Sequence, residues 1–253
     1  MILTLFLILT FLCWGSFLNV VAYRITFEKP FFTKRSVCPH CNKIIKWYDN
    51  IPVLSWIILK RKCRACSKII SWLYPFTEII TAITMTNLFF NSYYNIPLFF
   101  SYFIFFSALI VATRTDLEAM VIPQLFSLWL VPAGIIFSAL HFTKITVLES
   151  LLGTTLGYGV LWIVAKVFKL VTKKDGLGQG DMELLAMIGS FLGPIGIWFA
   201  LTIGSIAGLL IGGTYLLITK KLKTTRIPFG PFLALGAIIY FFYEKTILMF
   251  LMG

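Results

Sequence analysis

Charged residues are scarce in this sequence. Asp, Glu, Lys and Arg make up 13% of the 253 residues, and the chain has only ten acidic residues and two histidines. About a quarter of the residues in an ordinary soluble domain are charged, so this scarcity excludes a typical soluble globular protein. Hydrophobic residues make up 59% of the chain and aromatic residues 17%. The composition therefore predicts a polytopic membrane protein embedded in a lipid bilayer.

Apolar runs long enough to cross about 30 Å of hydrocarbon recur along the chain. They lie near 2–22, 73–91, 97–113, 121–141, 149–170, 182–218 and 229–252. The run 182–218 is too long for one crossing, and Gly193–Pro194 is a natural break within it. We therefore expect an all-α protein with about eight transmembrane helices. The first run has no basic N-terminal region and no small-residue cleavage site, so we expect a membrane helix there and not a removable signal peptide.

All basic residues except Lys144 and Lys245 lie in alternate joints between these runs. Of 22 Lys and Arg residues, eleven lie in 24–71, one is Arg114, four lie in 166–174 and four in 220–226. Cytoplasmic loops of membrane proteins carry an excess of Lys and Arg, which places these joints in the cytoplasm and both termini outside. Topology thus accounts for the net charge of +12, and we expect no nucleic-acid partner.

Two Cys-x-x-Cys motifs lie in the one long polar insertion. "CPHC" holds Cys38 and Cys41, and "CRAC" holds Cys63 and Cys66, with 21 residues between them. This spacing predicts a tetrahedral four-thiolate zinc site, because a reducing cytoplasmic loop disfavours disulfides. Four thiolates close the coordination shell, so we expect one structural zinc. Iron in the same cage and redox-active thiols remain alternatives.

Two aspartates lie at the cytoplasmic ends of predicted spans, Asp116 in "RTDLEAM" and Asp181 in "GQGDMELL". Bundle packing could bring them together. Each is followed two residues later by a glutamate, Glu118 or Glu183. Residues i and i+2 of a helix point in different directions, so only one carboxylate of each pair can face a shared site.

The surroundings of the acidic residues suggest roles for three further positions. Asp181 could simply be a helix N-cap, but a cap needs no second glycine. Gly178 and Gly180 would instead allow a ligand or peptide backbone to approach closely. Glu78 lies deeper, in the second span, where an ionisable residue is a functional candidate by default. Its alternative role is a protonated carboxyl bonded to a neighbouring helix.

Two aspartates that share a water molecule at a membrane edge are suited to aspartic proteolysis. Repulsion between like charges leaves one carboxyl neutral and one ionised. The ionised group takes a proton from water, and the neutral group polarises a peptide carbonyl. An ion- or proton-coupled transporter could use the same acids as a relay. That alternative predicts repeated halves and acidic residues at mid-membrane. The sequence shows only a weak similarity between "TDLEAM" and "GDMELLAM", and the surrounding spans are not repeated.

Taken together, the motifs resemble those of the type IV prepilin peptidases, membrane aspartic proteases with a GxGD signature. The resemblance rests on seven stretches in family order: "GSFLNVVAYR", "CPHC" with "WYDNIPVLSW", "CRAC", "YPFTEIIT", "TDLEAMVIP", "GQGD" and "IPFGPFLALGA". It implies catalytic aspartates at Asp116 and Asp181, and metal ligands at the four cysteines.

The resemblance also implies a substrate and a second activity. The family removes the short basic leader of prepilins and pseudopilins at the cytoplasmic face of the bacterial inner membrane. Members with the cysteine module are associated with N-methylation of the new N-terminus by S-adenosylmethionine. We therefore expect helix 1 at 1–23, a cytoplasmic zinc module at 24–71 and a seven-helix catalytic domain at 72–253. The sequence has no glycine-rich nucleotide fingerprint after a strand and leaves the oligomeric state open.

The predicted orientation can be tested by labelling single cysteines on a cysteine-less background with a membrane-impermeant maleimide. Lys46→Cys and Lys173→Cys should be protected in intact cells and should react in inverted vesicles, because both belong to the basic joints. Tyr94→Cys should react from outside and serves as the control. External labelling at position 173 would place Asp181 on the outer face and contradict the orientation.

Overall fold

The computed structural model describes residues 1–30, 36–214, 218 and 227–252, which form helices joined by turns and loops. In these ranges, β pairing is limited to two isolated bridges. The chain divides into two compact units, Met1–Tyr94 and Asn95–Gly253. The expected all-α fold is confirmed. The predicted basic residues Lys34, Arg35, Lys220, Lys221, Lys223 and Arg226 lie outside the described ranges.

The helices of the two units are numbered in chain order. The first unit holds α1 (Ile2–Thr26), the short α2 (Leu54–Ile58) and α3 (Leu73–Asn91). The second holds α4 (Ile96–Ala119), α5 (Val131–Ala139), α6 (Val147–Thr172), α7 (Gln179–Ala207) and α8 (Gly230–Met252). Within the described ranges, four helices are long and apolar enough to cross a membrane: Ile2–Thr26, Ile96–Ala119, Val147–Thr172 and Gln179–Gly212.

In the first unit, α1 and α3 pack closely against each other. A Cβ atom at Gly15 would lie only 2.7 Å from the Cα of Glu78, so glycine is needed for this approach. The buried Asn19 donates its side-chain amide to the carbonyl of Tyr74 at 3.0 Å. Small residues and interhelical hydrogen bonds are the usual means by which membrane helices associate.

In the second unit, α7 reverses direction at Gly193. The residue has φ 71° and ψ −173°, and Pro194 follows it. A continuous helix would separate residues 189 and 197 by about 12 Å along its axis. Instead, the Ile197 side chain reaches 3.0 Å from the Cβ position of Gly189. The segment before Gly193 and the segment after it therefore pack as two antiparallel helices, so the predicted break is present.

The reversal frees backbone carbonyls, and neighbouring helices supply donors for two of them. Pro194 has no N–H, which removes the helical donor of the Ser190 carbonyl. The hydroxyl of Ser150 on α6 donates to that carbonyl at 2.7 Å. The hydroxyl of Tyr102 on α4 donates to the carbonyl of Phe191 at 3.2 Å. Because lipid offers no alternative partners, these two bonds make the reversal tolerable inside the unit.

The first part of α7 forms the core of the second unit. Every residue from Met182 to Gly193 is buried, as expected for a helix that is apolar on all sides. By contrast, α6 buries only one stripe, consisting of Ser150, Gly153, Gly157 and Leu161. These residues recur at three- and four-residue intervals, so α6 presents one face to α7.

Glycines allow α6 and α7 to touch backbone to backbone. A Cβ atom at Gly153 would overlap the carbonyl of Gly189, and one at Gly157 would lie 2.6 Å from the Leu185 carbonyl oxygen. Gly159 lies on the other side of α6 and has nothing within 4 Å of its Cβ position.

The effect on stability of replacing a glycine in α6 should therefore depend on the face of the helix where that glycine lies. We expect Gly153→Ala to lower the melting temperature in detergent, since α6 and α7 must move apart. Gly159→Ala is the matched control, and it should leave stability unchanged or raise it because alanine favours the helix by about 1 kcal/mol. A thermal-unfolding measurement decides the matter. Equal melting temperatures for the two variants would contradict the packing.

Candidate active site and metal site

Asp116 lies in the last turn of α4. The helix ends at Ala119, and Met120 follows in the left-handed conformation with φ 55°. The Met120 N–H closes the helix on the Asp116 carbonyl at 2.9 Å. This cap turns the chain sharply, so that the residues after α4 run back beside the Asp116 carboxylate.

Asp181 lies in the first turn of α7, but it does not cap the helix. The N-cap is Gly178, with φ −74° and ψ 145°, so the alternative role of Asp181 as an N-cap is wrong. The Asp181 carboxylate bonds back to the Gly178 backbone N–H. A carboxylate in the first turn is also favoured by the helix dipole.

The two aspartates meet in one cleft of about 240 Å³. Its lining consists of Asp116, Met120, Val121, Ile122, Gly178, Gln179, Gly180 and Asp181. The carboxylates are near enough for the charge of Asp116 to act on Asp181. No Lys, Arg or His is among these lining residues, so two acids face a pocket that is otherwise apolar or neutral.

The two glycines of the "GQGD" stretch differ in their surroundings. A Cβ atom at Gly180 would lie 2.9 Å from the Cβ of Ile122, so this glycine lets the two walls of the cleft approach each other. A Cβ atom at Gly178 would meet nothing closer than Asp181 Oδ2 at 3.4 Å. Of the two, Gly178 has the more open surroundings, while Gly180 packs within the protein. Their predicted contact with a substrate backbone stays a prediction.

Gly230 belongs to the site, although sequence reasoning did not identify it. Its backbone N–H donates to Asp116 Oδ2 at 3.0 Å. A Cβ atom at this position would lie 2.9 Å from the same oxygen. Because Gly230 begins α8, the free N–H groups and the positive end of that helix face Asp116. The sequence signal that could have identified Gly230 is its place in "IPFGPF", directly before an apolar run.

Neither neighbouring glutamate lines the cleft. Glu118 forms an ion pair with the buried Arg114 at 2.7 Å. Glu183 is 2% exposed and accepts hydrogen bonds from Gln179 at 2.8 Å, Gln124 at 3.2 Å and the Ser127 hydroxyl at 3.3 Å. The expectation that one carboxylate of each pair faces the site agrees with this geometry. Glu183 instead joins the segment after α4 to the start of α7.

Glu78 belongs to the first unit and has partners there. It is 6% exposed, and its Oε2 accepts the Val53 backbone N–H at 2.8 Å. The Ser16 side chain on α1 also bonds to it. Its contacts thus include a neighbouring helix, as the alternative role required, together with the backbone of the cysteine insertion. A functional role for Glu78 stays a prediction.

The four cysteines converge on one point. The sulfurs of Cys38, Cys41, Cys63 and Cys66 all lie within 4.8 Å of one another, and the Sγ atoms of Cys38 and Cys66 are 3.9 Å apart. The thiols are free and form no disulfide. Tetrahedral ligands with metal–sulfur bonds of about 2.3 Å stand about 3.8 Å apart. The cluster therefore has the dimensions of a four-thiolate metal site.

The two Cys-x-x-Cys turns have the same backbone hydrogen bonds. In the first turn, the Cys38 N–H donates to the Lys43 carbonyl at 3.0 Å; in the second, the Cys63 N–H donates to the Lys68 carbonyl at 2.9 Å. An isolated bridge flanks each turn, Val37 with Ile44 and Lys62 with Ile69. The module is thus built from two equivalent knuckles, each supplying two ligands.

The backbone of the second knuckle favours the thiolate form of Cys63. The N–H groups of Cys66 and Ala65 bond to the Cys63 sulfur and lower its pKa to about 7. The thiolate is the form that binds metal. Arg64, within the same knuckle, pairs with Asp49 at 2.7 Å. This hydrogen bond holds the pKa of the Asp49 carboxyl below its usual range.

Comparison with known families agrees with the motifs over most of the chain. Residues 9–92 match the bacterial peptidase A24 N-terminal domain, and residues 103–213 match the type IV leader peptidase family. The first match covers the cysteine module, and the second covers both aspartates. No solved structure shows significant similarity to the chain.

Three similar proteins carry the name prepilin leader peptidase/N-methyltransferase. The protein of Aeromonas hydrophila is 32% identical, over 92% of this chain and 88% of its own length. That of Legionella pneumophila is 32% identical over 94% and 91%, and that of Dichelobacter nodosus is 34% identical over 92% and 89%. The resemblance found in the sequence is confirmed, and the chain belongs to the type IV leader peptidase family.

Proposed function

We propose that this protein removes the basic leader from type IV prepilins or pseudopilins, with Asp116 and Asp181 as its catalytic pair. The observation that carries the proposal is the convergence of these two carboxylates, from the end of α4 and the start of α7, on one cleft. The relatives named as prepilin leader peptidases support the substrate class.

The geometry suits hydrolysis by an acid and a base acting together. One carboxylate takes a proton from water as the oxygen attacks the scissile carbonyl, and the other, protonated, donates to the carbonyl oxygen. When the C–N bond breaks, the leaving amine takes up a proton. The Gly230 N–H holds Oδ2 of Asp116, which fixes the side chain and leaves the second oxygen for water or substrate.

The membrane setting follows from the same helices. We propose eight crossings in the bacterial inner membrane, with both termini outside and the aspartates and cysteine module at the cytoplasmic face. The reversal of α7 at Gly193 supports this count, because it divides one long apolar run into two antiparallel segments. A transporter using the same acids would place them at mid-membrane. Both aspartates instead lie within a turn of a helix end, which favours the peptidase.

The catalytic pair can be tested with protein in vesicles and a purified prepilin. Asp116→Asn and Asp181→Asn should each abolish leader removal, because an amide can neither take a proton from water nor share one with its partner. Expression and membrane insertion should be unchanged.

Glu118→Gln is the matched control for this experiment. It removes a carboxylate only two residues from Asp116, but one that pairs with Arg114 outside the cleft lining. Its effect on cleavage should be mild. Near-normal turnover by either aspartate variant would show that the pair is not catalytic.

The cysteine module, by our proposal, holds one structural zinc. Cys38, Cys41, Cys63 and Cys66 would be its ligands, because four thiolates in a tetrahedral cage match zinc. Four protein ligands leave no open position, so the metal would stabilise the module and take no part in hydrolysis.

Metal analysis tests this site. Purified protein should contain about one zinc per chain, and Cys38→Ser with Cys66→Ser should lose it, since metal binding and folding of a small module are coupled. Limited proteolysis should then cut within 36–68. Cys13→Ser, which changes the one cysteine outside the cluster, should keep the metal. Iron would change the identity of the ion, whereas protein without any metal would contradict the site.

We also propose that the protein methylates the amine exposed by cleavage, with S-adenosylmethionine as the methyl donor. The relatives named N-methyltransferases support this second activity. The aspartates belong to the second unit and the cysteine module to the first, so the two activities should respond differently to substitution.

The two activities can be separated with a pre-cleaved pilin peptide. Asp116→Asn should leave methylation of this peptide intact, because the hydrolytic pair supplies no donor site. Cys38→Ser with Cys41→Ser should impair methylation more than cleavage. Equal losses in a side-by-side assay would instead indicate that the module supports both activities through folding alone.

A further inference from the structure

The short helix α2 carries an exposed apolar stripe. Leu54, Ile57 and Ile58 are spaced i, i+3 and i+4, which places them on one face of the helix. All three are exposed, Ile58 to 71%. Trp56 points the other way, toward the module, where its ring nitrogen donates to the Ile70 carbonyl at 3.3 Å. The exposed stripe is thus the outward face of a helix whose inner face is bonded.

A part-buried hydrogen bond fixes the position of this stripe along the lengths of α1 and α3. Val53, directly before α2, donates its N–H to Glu78 at 2.8 Å. Glu78 lies about 7.5 Å along α3 from Leu73, counting 1.5 Å per residue. Its other partner, Ser16, lies about 15 Å from the end of α1 on the same count. The start of α2 is therefore held alongside α1 and α3 and not beyond their ends.

The backbone at Val53 shows that this position is specifically maintained. Val53 has φ 60° and ψ −51°, a conformation that is costly for a β-branched residue. Such a residue persists only where its surroundings hold it in place, and here the bond to Glu78 does so.

Basic and aromatic residues border the apolar stripe. Lys60 and Lys62 lie close after α2, separated from it by Leu59, and both are exposed. Arg61, between them, instead lies over the Trp56 ring, 5.3 Å from its centroid. Trp47, 80% exposed, lies in the 3-10 turn that contacts α2. An apolar face, a tryptophan and adjacent cations are the combination found in helices that lie in the membrane interface. The same cations would repel a basic leader peptide, so the charge favours anionic lipid as the occupant.

We propose that α2 is an interfacial membrane helix. Leu54, Ile57 and Ile58 insert between the lipid chains of the bilayer, and Lys60 and Lys62 contact anionic headgroups. Glu78 sets the depth of α2 by holding Val53. The cysteine module is therefore attached to the membrane at three places, namely at α1, at α3 and at α2 between them.

Photo-crosslinking in vesicles of phosphatidylglycerol and phosphatidylcholine tests this proposal with the full-length protein. A benzophenone amino acid at position 57 or 58 should form lipid adducts several-fold more often than one at Ser55, which lies off the stripe on the same helix. Phosphatidylglycerol should exceed its mole fraction among these adducts. Changing Lys60 and Lys62 to Gln should remove that excess and keep the adducts. Each variant should retain its bound metal, which verifies that the module is folded.

Other products would overturn the proposal. Crosslinks from position 57 or 58 to residues 95–253 would show that the stripe covers the second unit. Crosslinks to added prepilin would show that it binds substrate. Equal lipid labelling at positions 55 and 58 would mean that the helix has no lipid-facing side. These outcomes are independent of whether the protein cleaves prepilin, since no step of the experiment requires cleavage.

Discussion

Close contact between helix backbones is the constraint on which the second unit depends. Inside a bilayer, apolar side chains gain little by leaving lipid, so helices associate through tight packing and interhelical hydrogen bonds. Gly153 meets Gly189, Gly204 meets the Phe232 carbonyl and Gly236 meets Ala200. These contacts place α6 and α8 against α7 at backbone distance.

The cleft is formed where three helix ends meet on this rigid frame. Asp116 lies in the last turn of α4, Asp181 lies in the first turn of α7, and Gly230 is the first residue of α8. Glu183 then connects the walls, because it accepts hydrogen bonds both from Gln179 on α7 and from Gln124 after α4. The carboxylates are thus held by backbone N–H groups and by the positions of whole helices, and the Glu183 side chain links two of the segments that form the walls.

Features that depend on local chemistry could be predicted from the sequence. The two Cys-x-x-Cys turns and the break at Gly193 follow from cysteine spacing and from a proline without an N–H. The Gly230 bond to Asp116 could not be predicted, since it joins residues 114 positions apart. The Glu78 bond to Val53 likewise depends on how α3 packs against a turn. The N-cap alternative for Asp181 was wrong because Gly178 already occupies that position.

The enclosure of the first part of α7 has a consequence for adaptation to different lipids. Residues Met182 to Gly193 are buried on every side, so bilayer thickness does not act directly on the helix that carries Asp181. Hydrophobic mismatch acts first on helices that expose most of their surface, such as α6, which buries only one stripe. A change in acyl-chain length would therefore reach the start of α7, which carries Asp181, only through the helices packed around it.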